Sequence, residues 1–367
     1  MNSNFIPVYE PTITEKEIEY VVQAVKSGWV SSLGEFISRF ERRFAEFIGT
    51  KYALAVSSGT AALHLALVSL GIKEGDEVIV PDLTFIATAN AVRYTGAKPV
   101  FADIDQEIWC ISPEDIRMKI TSKTKAIIPV HLYGHPADMD QILEIAKEYG
   151  LYVVEDCAEA HGAEYKGKKV GSIGDCGVFS FYGNKIVTTG EGGMITTNDE
   201  KLYERARHLR DHAMSKEKRY WHTEIGYNYR ITNIQAALGL AQLERIDQII
   251  QKKREIFKMY EDGLKDLEGI SLNPEKEWAK NVYWMICFVN WSFDEEKRDS
   301  FMRKLKDKGI DTRPFFYPCS VMPMYKRDGF VNPISYKIYK KGVNLPSGYN
   351  LTEEEVKYII KVIKESL

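Results

Sequence analysis

The chain has 367 residues, of which 44% are hydrophobic and 28% are charged, and its net charge at pH 7 is −3. A chain of this length is longer than one ordinary hydrophobic core accommodates, and it suits two domains. Charges of both signs are mixed, so no basic field favours binding to nucleic acid or to an anionic membrane. Any anionic ligand has to be held by local groups.

The cysteines and the apolar runs indicate the compartment. The five cysteines are odd in number and form no C-x-x-C pair, which argues against a disulfide framework or a zinc ribbon. Buried free thiols fit a reducing cytoplasm. The first residues, MNSNFIPVYEP, lack a basic start followed by an apolar run, and no apolar stretch approaches the ~18 residues of a membrane span. We expect a cytoplasmic protein.

Short apolar runs alternate with helical patterns over the first two-thirds of the chain. Strands are predicted at residues 52–57, 77–80, 99–104, 126–131, 151–155, 177–181 and 193–197. Helices are predicted between most of them, at about 60–70, 86–95, 113–120 and 139–149. This alternation predicts an α/β fold with a largely parallel sheet that helices cover on both faces. In such a sheet, ligands bind beyond the carboxyl ends of the strands.

The pattern changes near residue 233. Residues 233 to about 267 predict one long helix, charged on one face in its second half. A strand at 283–290, a helix at 295–309, an extended piece at 311–316 and a last helix at 352–364 follow. We predict a large α/β domain over residues 1–245 and a smaller C-terminal α+β domain over 246–367. The helical segment 12–27 fits either domain.

Residues 57–63, with the sequence SSGTAAL, follow a predicted strand and open a predicted helix. Unpaired N–H groups at a helix N-terminus bind phosphate, and a glycine such as Gly59 lets the backbone approach a ligand closely. Serine and threonine also cap helices that bind nothing. The segment alone therefore leaves a phosphate site and a simple helix cap both open.

Asp156 ends a predicted buried strand, in the sequence VVEDCAEAHG. A buried carboxylate needs a partner, because an unpaired buried charge costs several kcal/mol. A protonated ring nitrogen of a cofactor is one such partner, and a helix cap or a metal ion are others. Because no carboxylate and histidine set has the spacing of a metal site, no metal is expected.

Lys185 lies just past a predicted strand, in the polar, glycine-rich sequence SFYGNKIVTTGEGG. An amine with an ordinary pKa of ~10.4 is neutral in only about one molecule in 2,500 at pH 7, and burial or a nearby cation lowers that pKa. The glycines match neither a nucleotide-triphosphate loop nor a dinucleotide fingerprint. A phosphate-type helix start, a strand-end Asp and a loop Lys are together what pyridoxal phosphate chemistry needs.

Six segments spread over the chain resemble the nucleotide-sugar (DegT-type) aminotransferases, a branch of the fold-type I pyridoxal-phosphate enzymes. They are VSSGTAALHLAL, VIVPDLTFIATANAV, VHLYGHPADMD, VVEDCAEAHGA, FSFYGNKIVTTGEGGMITT and IGYNYRITNIQAALGLAQL. The resemblance implies an aspartate aminotransferase-like fold, with a mostly parallel seven-stranded sheet sandwiched by helices and a smaller C-terminal α+β domain.

The same resemblance assigns roles to residues. Lys185 would hold pyridoxal 5'-phosphate covalently and move protons, and Asp156 would pair with the ring nitrogen. Glu159, where many relatives carry Gln, would lie near the phenolic oxygen of the ring, and Phe85 would stack on the ring. The residues that would hold the phosphate are Ser58, Gly59, Thr60, Ser180 and, from the neighbouring subunit, Asn228. A homodimer with shared active sites, or a tetramer, is implied.

The resemblance also implies a two-stage reaction. L-Glutamate would leave its amino group on the cofactor as pyridoxamine phosphate, and C4 of a 4-keto-6-deoxy nucleotide sugar would receive it. The segments HLYGHP, YWH…IGYNYR and TRPFFYP…MPMY favour conversion of GDP-4-keto-6-deoxymannose to GDP-perosamine, for a cell-surface polysaccharide such as O-antigen, over a UDP- or dTDP-linked substrate. The expected substrate contacts are Trp29, His131, Arg230, Arg313, Tyr317 and Tyr325, because arginine suits a diphosphate and the others suit a binding wall.

Two alternatives differ in chemistry. Related 3-dehydratases act on similar keto sugars, and resemblance to that subgroup implies a histidine in place of the lysine. This chain has Lys185 at that position. A binding or regulatory protein on the same scaffold is the other alternative, since fold does not fix function. Such a protein would have little need of Lys185, Asp156, Ser180 and Asn228 together.

Overall fold

The computed structural model describes residues 5–327 and 329–367. Its α-helices are α1 (Glu15–Lys26), α2 (Glu35–Ile48), α3 (Gly59–Ser69), α4 (Ala87–Tyr94), α5 (Pro113–Lys119), α6 (Met139–Tyr149), α7 (Glu200–Arg210), α8 (Asn233–Leu243), α9 (Ile246–Leu264), α10 (Glu295–Asp307), α11 (Pro333–Ile338) and α12 (Glu353–Ser366). Its strands are β1 (Tyr52–Val56), β2 (Glu77–Pro81), β3 (Lys98–Ala102), β4 (Thr124–Ile127), β5 (Tyr152–Asp156), β6 (Glu164–Tyr165), β7 (Lys168–Lys169), β8 (Cys176–Ser180), β9 (Gly193–Thr197), β10 (Ile270–Leu272), β11 (Ala279–Lys280), β12 (Ile286–Asn290), β13 (Arg313–Pro314) and β14 (Gly342–Leu345).

Seven strands form the central sheet, in the order β1-β9-β8-β5-β4-β2-β3. The pairs from β8 to β3 are parallel, and β9 alone runs antiparallel to its neighbours β1 and β8. Each of the seven strands predicted in the first two-thirds of the chain supplies one strand of this sheet. The predicted mostly parallel seven-stranded sheet is therefore confirmed.

Helices cover both faces of the central sheet, which explains why its strands are almost continuously apolar. Along β1, Ala53 and Ala55 pack into one buried cluster with the phenylalanines of α2, whereas Leu54 and Val56 pack into another with α3. Successive side chains of a strand point to opposite faces, so a strand buried on both sides needs an apolar residue at nearly every position.

A second sheet lies in the C-terminal part of the chain, with four strands in the order β10-β12-β14-β13. Side chains of α9, α10 and α12 pack with this sheet into a separate buried cluster that includes Tyr260, Phe288, Phe301 and Ile359. Strands β6, β7 and β11 form a small third sheet. The division of the chain at residue 245 stays a prediction.

The single helix predicted from residue 233 is two helices, α8 and α9, separated at Glu244 and Arg245. At Arg245 the backbone leaves the helical region, with φ at −122°. The guanidinium of Arg245 donates to the buried carboxylate of Glu17 at 2.7 Å and to the carbonyl of Thr12. A contact with the distant N-terminal segment thus accompanies the break, and helical periodicity continues on both sides of it.

Lys253 of α9 is a buried amine outside the candidate site. Its exposed fraction is 1%, and its Nζ donates to the carbonyl of Ser347 at 2.8 Å. Burial lowers the pKa of Lys253 to about 7. An unfolded lysine titrates near ~10.4, so between these pH values the unfolded chain binds one more proton than the folded protein. Stability should therefore increase with pH in this range through Lys253.

Lys253→Met should remove that pH dependence. Relative to the variant, the native protein should gain up to about 1.4 kcal/mol of unfolding free energy per pH unit above pH 7. Urea unfolding of both proteins at pH 7, 8 and 9 measures the difference. The neighbouring Lys252→Met, at a half-buried position, is the control and should give a difference that does not change with pH. A constant difference for Lys253→Met would show that Lys253 stays protonated in the folded protein.

Each of the five cysteines is free and buried. In residues 5–327 and 329–367, no helix combines the length and the apolar character that crossing a membrane requires.

Candidate active site

The start of helix α3 lies against the end of strand β8. Ser58 is the N-cap residue, and its hydroxyl accepts a hydrogen bond from the backbone N–H of Ala61 at 3.1 Å. A Cβ added to Gly59 would lie 2.6 Å from the Cβ of Ser180, so only glycine permits this approach. The close packing brings Ser58, Gly59, Thr60 and Ser180 together at a helix N-terminus, where backbone N–H groups favour an anion.

Asp156 is the last residue of β5, with 4% of its surface exposed. Its Oδ2 accepts from the hydroxyl of Thr88 at 2.8 Å, and its Oδ1 accepts from the N–H of Ala158 at 3.1 Å. Burial raises the pKa of Asp156, and these two hydrogen bonds and the nearby Lys185 oppose the rise. A cationic group in front of this carboxylate would be strongly favoured.

Lys185 lies five residues beyond the end of β8, and its backbone is held from two distant parts of the chain. The hydroxyl of Tyr9 donates to the carbonyl of Lys185 at 2.8 Å. The indole Nε1 of Trp284 donates to the carbonyl of Asn184 at 2.7 Å. The lysine loop is therefore fixed by residues near the start of the chain and by residues just before β12.

The amine of Lys185 is nearly buried and faces a carboxylate and an aromatic ring. Its Nζ lies 3.9 Å from Oε1 of Glu159 and 3.7 Å from the centre of the Trp284 ring. Burial lowers the pKa of Lys185, although the carboxylates of Glu159 and Asp156 oppose this effect. Burial also raises the pKa of Glu159, whose other oxygen accepts from the N–H of Tyr133 at 2.8 Å. A lysine with a lowered pKa is suited to act as a nucleophile and a base.

These side chains share one cavity of about 340 Å³, within the range of ~300–1,000 Å³ that small ligands occupy. Eight of the nine residues predicted to bind cofactor line it: Ser58, Gly59, Thr60, Phe85, Asp156, Glu159, Ser180 and Lys185. Among the residues that the structure describes, the cavity wall also contains a buried acceptor with no hydrogen-bond partner, the Oδ1 of Asn184.

Pyridoxal phosphate fits this arrangement. The helix start at Gly59 suits its phosphate, the buried carboxylate of Asp156 suits its ring nitrogen, and the amine of Lys185 suits its aldehyde. Phe85, with 55% of its surface exposed, and Phe316 lie 5.8 Å apart at the cavity and provide aromatic surface for a planar ring.

Comparison with known proteins decides the family. The sequence matches the DegT/DnrJ/EryC1/StrS aminotransferase family over residues 11–364. The chain belongs to this family. GDP-perosamine synthases from Escherichia coli O157:H7 and Vibrio cholerae are 51% and 44% identical to it, and each alignment covers 98% of both chains.

A solved sugar aminotransferase, Spr1654 from Streptococcus pneumoniae, has the same fold. Its PMP form superposes with a TM-score of 0.94 at 31% identity, over 99% of this chain and 97% of the other, and it is also solved in a PLP form. Aminotransferases of this family use pyridoxal phosphate, and the chain is therefore a pyridoxal-phosphate-dependent aminotransferase.

Asn228 is the one predicted cofactor residue that does not line the aminotransferase cavity. It is exposed, in a segment whose backbone pairs with Asp211. The segment also exposes large apolar side chains: Tyr220 is 75% exposed, Trp221 55% and Ile225 86%.

The predicted substrate residues of the aminotransferase also lie outside the cavity lining within this chain. Arg230 is paired with Asp211, and Arg313 is paired with Asp311. Trp29 is 57% exposed and lies near the start of α2. Contact of these residues with a substrate stays a prediction.

Two predicted substrate tyrosines are held by neighbouring side chains. Tyr325 donates from its hydroxyl to Oδ1 of Asn90 at 2.8 Å. Tyr317 is 39% exposed, with its ring 5.4 Å from that of Tyr339, directly after the cavity residue Phe316. Their role in substrate binding also stays a prediction.

His131 has no exposed surface and does not line the cavity, and its contact with a substrate also stays a prediction. Its Nδ1 accepts from the N–H of Ala137 at 3.0 Å, which leaves Nε2 to donate to Glu155 at 3.1 Å. Cys157 lies close enough to complete a metal-binding set with these two residues. However, the carboxylate of Glu155 already accepts from three backbone N–H groups at 2.7 to 2.9 Å, so its lone pairs serve the fold.

The sequence reasoning missed several residues that line the aminotransferase cavity or hold its side chains in place. Thr88 binds Asp156, Trp284 contacts Lys185, Tyr133 holds Glu159, and Phe316 faces Phe85. Thr88 lies in the quoted segment VIVPDLTFIATANAV, one helical turn beyond Phe85, and could have been suspected from that spacing. No local pattern marks the other three.

Proposed function

We propose that this aminotransferase transfers the amino group of L-glutamate to C4 of GDP-4-keto-6-deoxymannose and so forms GDP-perosamine. The arrangement that carries the proposal is the amine of Lys185 in a cavity that also contains the buried carboxylate of Asp156 and the helix start at Gly59. The choice of sugar rests on the two full-length relatives named GDP-perosamine synthase.

Within this function, the residues that would hold the cofactor phosphate, at the start of α3 and the end of β8, are Ser58, Gly59, Thr60 and Ser180. Phe85 would pack against the ring, and Glu159 lies beside Lys185 in the cavity wall. Asp156, held by Thr88 and Ala158, would keep a proton on the ring nitrogen of the cofactor. Bound pyridoxal phosphate supplies an electron sink for the charge that develops when a proton leaves the carbon beside the transferred nitrogen.

Lys185 moves the protons. Its Nζ removes the proton from Cα of glutamate in the first half of the reaction, which ends with release of 2-oxoglutarate. In the second half, Nζ returns a proton to C4 of the sugar, and C4 then carries an amine in place of its keto oxygen. The lowered pKa of Lys185, which results from burial, increases the fraction of neutral amine that can accept a proton.

A homodimer is part of the proposal, because Asn228 is exposed and does not line the cavity of its own chain. The exposed Tyr220, Trp221 and Ile225 of the same segment would be covered by a partner subunit. Two-fold dimers are also the commonest assembly of soluble enzymes.

We also propose that the enzyme works in the cytoplasm, because its free, buried thiols suit a reducing compartment. Its product would supply an amino sugar for a surface polysaccharide.

Asn228→Ala should weaken cofactor binding by about ten- to a hundredfold, because a hydrogen bond to a charged phosphate contributes about 1.5–3 kcal/mol. Titration of the cofactor-free protein with pyridoxal phosphate measures the affinity, and light scattering measures the mass of the native protein and the variant. A native protein that is monomeric when fully active would contradict the shared site.

The substrate assignment is tested by supplying glutamate and the same 4-keto-6-deoxy sugar type on GDP, UDP and dTDP. We expect kcat/KM for the GDP sugar to exceed the others by ~10²-fold or more, since hydrogen bonds to a base discriminate strongly. A preference for UDP or dTDP would overturn the choice of substrate and leave the aminotransferase intact. Formation of a 3-deoxy sugar instead of an amine would indicate the dehydratase.

A further inference from the structure

Trp284 lies where the C-terminal part of the chain meets the loop of Lys185. It is 4% exposed and directly precedes the region of β12. The face of its ring contacts Nζ of Lys185, 3.7 Å from the ring centre, and the edge of its ring donates to the carbonyl of Asn184. One side chain therefore contacts both the reactive amine and the backbone that carries it.

The backbone of Trp284 is linked to the other partner of the amine. Its N–H donates to the carbonyl of Tyr133 at 3.1 Å, and the N–H of Tyr133 donates to Glu159. Tyr133 has φ of +53°, a left-handed conformation that is unfavourable for a bulky residue. Its ring stacks on that of Phe316 at 5.4 Å and 13°. Packing around Trp284 therefore maintains the strained backbone that orients Glu159.

Besides the uncharged ring of Trp284, three titratable groups lie near the amine. Glu159 lies 3.9 Å from Nζ, Asp156 lies nearby, and His161 is buried behind the loop. Burial and the nearby Lys185 lower the pKa of His161 to about 3, so His161 adds no charge. Asp156 is engaged by Thr88 and Ala158, and Glu159 by Tyr133. The aromatic face is thus a further source of stabilisation for a cationic amine.

We propose that Trp284 is a positioning residue for Lys185: its indole face holds the free ammonium of Lys185, and its Nε1–H fixes the turn that carries this lysine. The inference rests on the proposed function, in which Lys185 is free of the cofactor while it moves protons. A free lysine side chain has many rotamers. An aromatic face beside the reaction centre restricts Nζ to positions from which it reaches Cα of glutamate.

The test uses the full-length protein loaded with pyridoxamine phosphate, which has no aldehyde and leaves Nζ free. The rate at which trace acetic anhydride modifies Lys185 is followed against pH by peptide mass spectrometry. Trp284→Leu should lower the apparent pKa of Lys185 by about one unit, because a desolvated cation–π contact contributes about that much. Trp284→Met repeats the measurement if the leucine variant does not fold.

Trp284→Phe separates the two roles, since it keeps a ring face and loses the donor to Asn184. This variant should keep the pKa of Lys185 near its native value. It should lower kcat of the glutamate half-reaction by about tenfold, with KM nearly unchanged. Trp291→Phe is the matched control, because Trp291 also donates from Nε1, to Ser271 at 2.8 Å, and lies under a lysine, Lys337, at 5.3 Å, away from the cavity. It should change neither quantity.

The inference is overturned if the leucine or methionine variant shifts the pKa no more than Trp291→Phe does, or if Trp284→Phe keeps the native kcat. Borohydride reduction of the native protein with pyridoxal phosphate distinguishes this failure from a broader one. A cofactor found on Lys185 of the native protein leaves the proposed function standing. A cofactor absent from Lys185 would overturn the proposed function and, with it, the role of Trp284.

Discussion

Lys185→Ala should reduce amino transfer from glutamate by about 10⁴-fold or more, because it removes both the covalent attachment point and the base. The variant should keep its fold, since the contacts that hold this loop, from Tyr9 and Trp284, go to backbone carbonyls. The initial rate of 2-oxoglutarate release, measured with saturating cofactor, tests this expectation.

Lys201→Ala, which changes an exposed lysine of α7, is the control and should keep native activity. Thermal unfolding of both variants shows whether a loss of rate comes from a loss of structure. If Lys185→Ala still turns over at a rate near that of the native protein, another group has to be the base, and the assignment of this cavity would be wrong.

Asp156→Asn should lower kcat by about 10³-fold while cofactor affinity changes much less. Asparagine preserves the shape of the side chain, and its oxygen can still accept from Ala158 while its amide donates to the hydroxyl of Thr88. The variant lacks the negative charge that keeps the ring nitrogen protonated, so the developing carbanion is less stabilised. Single-turnover rates with glutamate, compared with cofactor titrations, separate the two effects.

Asp175→Asn provides the matched control for Asp156. Its carboxylate also serves β5, accepting from the N–H of Val153 at 2.7 Å, and it does not line the cavity. The change should affect stability and leave kcat near the native value. Equal losses in kcat for both variants would show that the effect of Asp156→Asn comes from the strand and not from the ring nitrogen.

The sequence predicted the residues of the cavity well where a strand-end rule applied. Asp156 ends β5, Ser180 ends β8 and Ser58 follows β1, and these ends meet on one edge of the sheet. A parallel arrangement of buried strands can be read from continuous apolar runs, and it places their carboxyl ends together. The positions of these residues therefore followed from local patterns and one rule of topology.

The same rule identifies an edge of the sheet and not the direction of a side chain, as His131 illustrates. His131 follows β4 but turns toward Glu155, where it has no exposed surface. Trp284 shows what local patterns leave out. It contacts the lysine loop at Asn184, 100 positions earlier, and no spacing in the sequence indicates that contact. The break at Arg245 likewise coincides with a contact to Glu17, which helical periodicity does not report.

The bonds that fix the lysine loop also determine when it can form during folding. The partners of the loop lie 176 residues before it, at Tyr9, and 100 residues after Asn184, at Trp284. Contacts between such distant positions form late, because each closes a long loop of chain. A growing polypeptide that has released Lys185 from the ribosome still lacks the indole that anchors this loop. The complete set of contacts around this lysine therefore requires synthesis at least as far as Trp284.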